Sequence, residues 1–191
     1  MNRRSVVSQL LRQRGDELIV TSLGNPTFDV AAAGDHPLNF YLWGAMGGAI
    51  MVGLGLALAQ PGRRVIVFAG DGEVLMGLGS LATVAVKRSA NLAIVVLDNE
   101  HYAETGMQAS HAGHGVNIAA VAQASGFRRA QTVYSEAELE AARKLILKDE
   151  GPVLVCIKVT TESMPSSLPP RDGPFLRSRF REALLGARAH E

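Results

Sequence analysis

The sequence has one cysteine, few aromatic residues, almost no net charge and no long uninterrupted apolar run. With Cys156 alone no disulfide framework can form, which fits a reducing compartment. Its place inside the apolar run PVLVCIKV makes it a buried strand residue rather than a nucleophile or metal ligand. Aromatic residues are 5% of the chain and the formal net charge is +1, with no basic stripe interleaved with aromatic side chains. That excludes nucleic acid and a membrane surface as expected partners. The most apolar stretch, WGAMGGAIMVGLGLALAQPG, is broken by five glycines. It lasts about 17 residues, short of a membrane span. The opening MNRRSVVSQLLRQRGDE lacks the apolar core of a secretory signal, so a cytoplasmic location is expected.

What is present is a chain of 191 residues, 47% hydrophobic and 19% charged, with 20 glycines, enough for one domain with its own core. Apolar spacing at Val6, Val7, Leu10 and Leu11 predicts an opening helix ending at Gly15, then a strand in ELIVTSL and a turn at GNP. LNFYLWG is a strand candidate, followed by a helix from Ala45 to Gln60. RVIVFAG and LAIVVLDN are continuous apolar runs of the kind buried on both faces of a parallel sheet, and EVLMGLGSLATVAVKR between them reads as one helix. Glu100 to Val116 reads as a long loop, which in a compact domain is usually functional. A helix in NIAAVAQASGF, a strand in AQTVY, a helix in SEAELEAARKLILKDEG with a capping box from Ser135 to Glu138, and a strand in PVLVCIKV complete the pattern. Strands and helices alternate, so the fold class is α/β: three layers, a mostly parallel sheet with helices on both faces. Residues 1–165 form the expected domain, and 166–191 a tail with a basic amphipathic helix.

Two polar turns carry the chemistry. Asp71 follows one buried strand in FAGDGE, and Asn99 follows the next in LDNEHY. The stretch between them fits one helix and one strand of a right-handed unit, so both turns open on the same sheet edge, where ligands of such sheets bind. A carboxylate and an amide oxygen together suit a hard cation such as Mg²⁺. The helix N-terminus behind Gly70 and Gly72 suits a diphosphate. G-D-G is also a generic turn, and the residues alone leave both readings open. The dinucleotide fingerprint G-x-G-x-x-G is absent here, since the residues from Gly70 are G-D-G-E-V-L.

G-D-G followed at this distance by an Asn-containing turn resembles the thiamine diphosphate motif of the 2-oxo acid decarboxylase family. LWGAMGGAIMVGLGLALAQPGRRVIVFAGDG is similar to the segment in which that family grips the cofactor's aminopyrimidine. The resemblance covers roughly residues 15 to 160 and points to the pyrophosphate-binding domain. It is greatest to the β subunits of two-chain sulfopyruvate and phosphonopyruvate decarboxylase-like enzymes. It implies that Asp71 and Asn99 bind Mg²⁺ through side chains and His101 through its main-chain carbonyl. It further implies that Gly70, Gly72 and Glu73 surround the diphosphate, with Gly72 and Glu73 donating N–H groups. Gly44 would offer its carbonyl and Met46 its N–H to the aminopyrimidine, Met46 also being the wedge that bends the cofactor. Asp98 stands where the family more often has a first Asn.

The family's catalytic Glu lies on a pyrimidine-binding domain for which this chain has no room. The resemblance therefore implies a separate pyrimidine-binding α subunit, an α2β2 assembly and a small anionic 2-oxo acid substrate. Glu104 and His111 are the loop candidates for proton transfer to substrate, beside Thr105, Gln108 and His114. Some related decarboxylases have an acidic residue six past the metal-binding Asn; here that position is Thr105. The same cofactor set would serve an acetolactate-synthase-like carboligase or a non-catalytic cofactor-binding module.

Overall fold

The computed structural model describes residues 1–190. Its strands are β1 (Leu18–Thr21), β2 (Asn39–Tyr41), β3 (Val65–Gly70), β4 (Leu92–Asp98), β5 (His101–Tyr102), β6 (Gln108–Ala109), β7 (Arg129–Val133) and β8 (Val153–Lys158). Its helices are α1 (Arg3–Leu11), α2 (Asn25–Ala32), α3 (Ala49–Ala59), α4 (Asp71–Met76), α5 (Gly79–Lys87), α6 (Ile118–Ala124), α7 (Glu136–Leu147) and α8 (Gly173–Leu185). Six strands form one wholly parallel sheet in the order β2-β1-β3-β4-β8-β7.

The continuous apolar strands follow from burial on both faces. In β3, Val65, Val67 and Ala69 face one core, shared with α3, α5 and α6, while Ile66 and Phe68 face the other, shared with α1, α2 and α7. No single-period alternation of polar and apolar residues can survive such a position, which is why these runs are uniformly apolar. Chain order reverses between β1 and β3, β2 lying on the far side of β1, and this places a topological switch point beside the end of β3. Register pairs Gly70 with Leu97, so the turns after β3 and β4 stand level.

Five expectations need correction. The opening helix stops at Leu11, short of Gly15. Asn25–Ala32 is a helix where the sequence suggested only a turn and a polar segment, with Pro26 in its first turn, a position that tolerates the missing N–H. The helix expected from Ala45 starts at Ala49, because Trp43, Ala45 and Gly47 have φ of 54°, 57° and 86° and cannot join it. The single helix expected from Glu73 to Arg88 is two, α4 and α5, separated at Gly77 and Leu78. A Cβ on Gly77 would lie 2.3 Å from the Gly47 carbonyl oxygen and 2.8 Å from its Cα, so the break is where two backbones touch. The loop from Glu100 to Val116 also has structure: a β5–β6 hairpin, then a 3₁₀ turn at His111–His114. The capping box of α7 is present as expected.

The tail packs on the chain's own sheet edge. Phe180 of α8 meets Phe40 of β2 with ring centroids 5.3 Å apart, and Arg179 pairs with Asp35 at 2.6 Å. Before α8, the Pro170 carbonyl accepts from Trp43 Nε1 at 2.7 Å. Among the described residues no helix is long and apolar enough to cross a membrane.

Because the Gly77 clash is with backbone, Gly77→Ala should cost about 2 kcal/mol of stability in urea unfolding. Gly79→Ala, whose added Cβ meets nothing within 4 Å, should be neutral or slightly stabilising.

Candidate active site

A cavity opens beyond the carboxyl ends of the strands, at the switch point. Its wall is built from Leu23 to Pro26 after β1, Gly70 to Glu73 after β3, Leu97 and Asn99 at the end of β4, and Val159 after β8. Met46, the run from His101 to Thr105, and Arg3 complete it. Eight of the ten residues expected from the sequence thus share one cavity: Met46, Gly70, Asp71, Gly72, Glu73, Asn99, His101 and Glu104.

The other two stand apart. Gly44 does not line the cavity, and its carbonyl accepts from the Ser22 hydroxyl at 2.8 Å, although it lies between the positive-φ residues Trp43 and Ala45. Backbone held in that region costs of order 1–3 kcal/mol per residue and persists only where the surroundings enforce it. His111 is exposed, outside the cavity wall, and its Nδ1 lies 3.3 Å from the Tyr102 hydroxyl. Tyr102 does line the cavity, so His111 connects to it only through that phenol.

Asp71 is 1% exposed, and the Ser110 hydroxyl donates to its Oδ2. Burial, with the nearby Asp98 adding to it against the Ser110 bond, pushes its carboxyl up to about 6. Glu73 is also buried, which pushes its carboxyl up to about 7, while the Ala49 and Gly47 amides and the Ser22 hydroxyl partly offset the shift. Its Oε1 has no hydrogen-bond partner. These two carboxylates, buried two residues apart, have no ion-pair partner among the described residues, since the cavity's Arg3 pairs with Asp29.

Asn99 Oδ1 accepts from the His101 N–H at 3.0 Å, an Asx turn that fixes the backbone at His101. Asp98 is not in the cavity wall. It pairs with Lys158 at 2.8 Å and accepts from Cys156 Sγ at 3.4 Å, so its charge is answered from β8. That counter-ion accounts for an Asp where the motif more often has Asn. Gly72 is required by contact: a Cβ there would lie 2.4 Å from the Tyr102 ring.

α4 is six residues long, so the positive pole expected of a long helix is confined to its first-turn amides. The donor set of Asp71, Asn99 and the His101 carbonyl is all oxygen and can hold a hard divalent cation. A divalent cation there would answer the buried carboxylates, and its bridge to a diphosphate would fill the same cavity. Sequence reasoning missed Ser110, Tyr102, Arg3 and the residues at the start of α2. Only the last had a signal, the Gly-Asn-Pro of a helix start after a strand.

Residues 23–157 match the family model of the thiamine pyrophosphate enzyme C-terminal TPP binding domain. The chain belongs to this family. It is 37% identical over 172 residues to the sulfopyruvate decarboxylase subunit beta of Methanothermobacter thermautotrophicus, covering 90% of this chain and 89% of that one. Against the phosphonopyruvate decarboxylase of Streptomyces viridochromogenes it is 38% identical over 87% of its length, but spans only 42% of that enzyme. The fold also matches the crystal structure of benzoylformate decarboxylase from Polynucleobacter necessarius, with a TM-score of 0.73, 19% identity and coverage of 86% and 34%. The M. thermautotrophicus and S. viridochromogenes relatives are both named decarboxylases, and the first is named a β subunit.

The buried carboxylate of Asp71 makes a prediction for the metal-free chain. Its folded pKa, about 6 against the ordinary 3.8, means that the folded state holds the proton more tightly. This group therefore lowers stability as pH rises from about 4 to about 7, and not further above. Asp71→Asn removes that loss, so the variant should unfold later than wild type at about pH 8, by on the order of 2–3 kcal/mol, and by nearly nothing at about pH 4. Urea unfolding of both proteins in chelator at the two pH values checks it.

Proposed function

We propose that this chain is the β subunit of a thiamine diphosphate- and Mg²⁺-dependent decarboxylase of a small anionic 2-oxo acid, such as 3-sulfopyruvate or 3-phosphonopyruvate. The observation that carries the cofactor reading is the pair of buried, cation-poor carboxylates, Asp71 and Glu73, at the switch point. The substrate class rests on the names of the sulfopyruvate and phosphonopyruvate decarboxylases that the chain resembles.

In this reading the Asp71 carboxylate, the Asn99 amide oxygen and the His101 carbonyl hold Mg²⁺, Gly72 and Glu73 offer amides to the diphosphate, and Gly70 lets it approach. Gly44 and Met46 hold the aminopyrimidine, the positive-φ backbone around them setting the angle at which Met46 meets it. When bound, the cofactor supplies an electron sink that accepts the pair left as carbon dioxide departs. The chain's own part is positioning and protons. Glu104 stands at the cavity rim and can exchange a proton with substrate through its carboxylate, and His111 connects to the cavity only through the Tyr102 hydroxyl. The hairpin β5–β6 holds Glu104 at the mouth.

The proton relay to the aminopyrimidine needs a carboxylic acid from another chain. Supporting this is the length of the relatives: the β subunit from M. thermautotrophicus is matched over 89% of its length, the S. viridochromogenes enzyme over 42%. The reading therefore includes a pyrimidine-binding α subunit in an α2β2 assembly, in the cytoplasm. Every residue assigned here falls in 1–165, which we take as the cofactor-binding domain, and none in the 166–191 tail.

Calorimetric titration of thiamine diphosphate with Mg²⁺ should show binding to wild type that Asp71→Ala and Asn99→Ala each weaken on the order of 100-fold or more. Unchanged binding by either variant would remove the metal assignment. The chain alone should release no carbon dioxide from 3-sulfopyruvate, and addition of a pyrimidine-binding subunit should start the release; full turnover by the chain alone would refute the shared site.

A further inference from the structure

Arg3 is the one cationic side chain in the cavity wall that sequence reasoning did not anticipate. It opens α1, far from both motif turns in sequence, yet it is 5% exposed and is the only Lys or Arg lining the cavity. Its Nε lies 2.8 Å from Asp29 Oδ2, and Nη1 donates to the Glu162 carbonyl at 2.7 Å. Nη2 makes no hydrogen bond among the described residues. Asp29, wholly buried on α2, also faces Arg4 Nε at 3.1 Å. One carboxylate thus answers two guanidinium groups, and one positive charge is left over beside the cavity.

A buried cation in excess is unfavourable unless an anion meets it. The two sides of the cavity are complementary in this respect. Two buried carboxylates without a cation, Asp71 and Glu73, stand just after β3, and a guanidinium with charge to spare stands beside α2. A metal-bound diphosphate bridging the cavity answers both at once.

We propose that Arg3 binds the terminal phosphate of the cofactor and that Asp29 is the residue that positions it. This rests on the cofactor reading above. The same guanidinium could in principle meet a substrate sulfonate or phosphonate, since both are oxyanions. Depth favours the cofactor: Arg3 is buried on the α1–α2 side, whereas the exposed wall residues Glu104 and Thr105 form the rim that substrate meets first. A guanidinium forks onto two oxygens of such a group, which an ammonium cannot do.

The test uses the full chain, alone and with a pyrimidine-binding subunit, titrated calorimetrically with thiamine diphosphate and with thiamine monophosphate, each with Mg²⁺. Arg3→Gln should weaken thiamine diphosphate binding about 10- to 100-fold, as expected for a lost charged hydrogen bond. Its effect on thiamine monophosphate should be much smaller, and Arg3→Lys should recover part of the loss. Arg4→Gln is the control, because it breaks a bond to the same Asp29 without lining the cavity, and it should leave both affinities within about twofold. Thermal unfolding of the Gln variants shows whether either has lost its fold. Equal losses in Arg3→Gln and Arg4→Gln would reduce Arg3 to a structural ion pair and overturn the proposal. So would unchanged cofactor affinity with a raised KM for 3-sulfopyruvate, which would assign Arg3 to substrate. Failure of wild type to bind thiamine diphosphate under both conditions would instead bring down the site reading itself.

Discussion

Burying the Asp71 carboxylate at the end of a strand enclosed on both faces is the constraint from which the rest of the site follows. Only 1% of Asp71 is exposed to solvate a charge, and Ser110 contributes only one hydroxyl. A group so placed either keeps its proton or waits for a cation. The fold thereby pre-forms a vacancy for positive charge and accepts a loss of stability at neutral pH to keep it open. Asp98 lies nearby on β4 and is treated differently: Lys158 neutralises it, so only one of the two acids is left unanswered.

The second constraint is steric. In the segment from Trp43 to Gly47 every second residue, Trp43, Ala45 and Gly47, has positive φ, and its far end rests on the Gly77 backbone at the break between α4 and α5. The element carrying Asp71 and the element carrying Met46 are therefore in direct contact. A shift of α4 on filling of the cavity would be transmitted to the Met46 segment without any intervening side chain. Glu73 reinforces the link by facing the amides of Gly47 and Ala49.

Much of this was legible beforehand because it depends on local pattern. Uniform apolar runs at Val65 and Leu92 reveal strands buried on both faces, and their distance along the chain fixes two turns on one edge. The family resemblance added roles to these residues. What escaped prediction depends on contacts between distant parts of the chain. The break at Gly77 arises from Gly47, thirty positions earlier, while helical periodicity runs through it undisturbed. The placing of Arg3 depends on α1 lying along α2, an arrangement no local pattern encodes. Glu73 was read as an amide donor, and its buried side chain meets the Ser22 hydroxyl and the Gly47 and Ala49 amides, which lie more than twenty positions earlier in the chain. His111 was read as a loop histidine free to reach the site, but the 3₁₀ turn that carries it points it outward to Tyr102.

The α8 tail laid along β2 has a consequence for how the molecule meets others. A parallel sheet ends in two rows of unpaired backbone groups, each able to recruit a strand from a neighbour. At β2 that row is shielded by the chain's own helix, and Arg179 reaches the Asn39 carbonyl at 3.5 Å. At β7 the row is bordered by exposed, polar Arg129 and Gln131. Growth of the sheet from chain to chain is discouraged at both ends. Among the large apolar side chains left in solvent, Met51, Val52, Leu58, Met76 and Val86 belong to helices, and none belongs to a strand of the six-stranded sheet. Contact between subunits is thereby steered to side chains meeting on helix faces, where single substitutions can adjust strength and partner choice without reopening the sheet to runaway polymerisation.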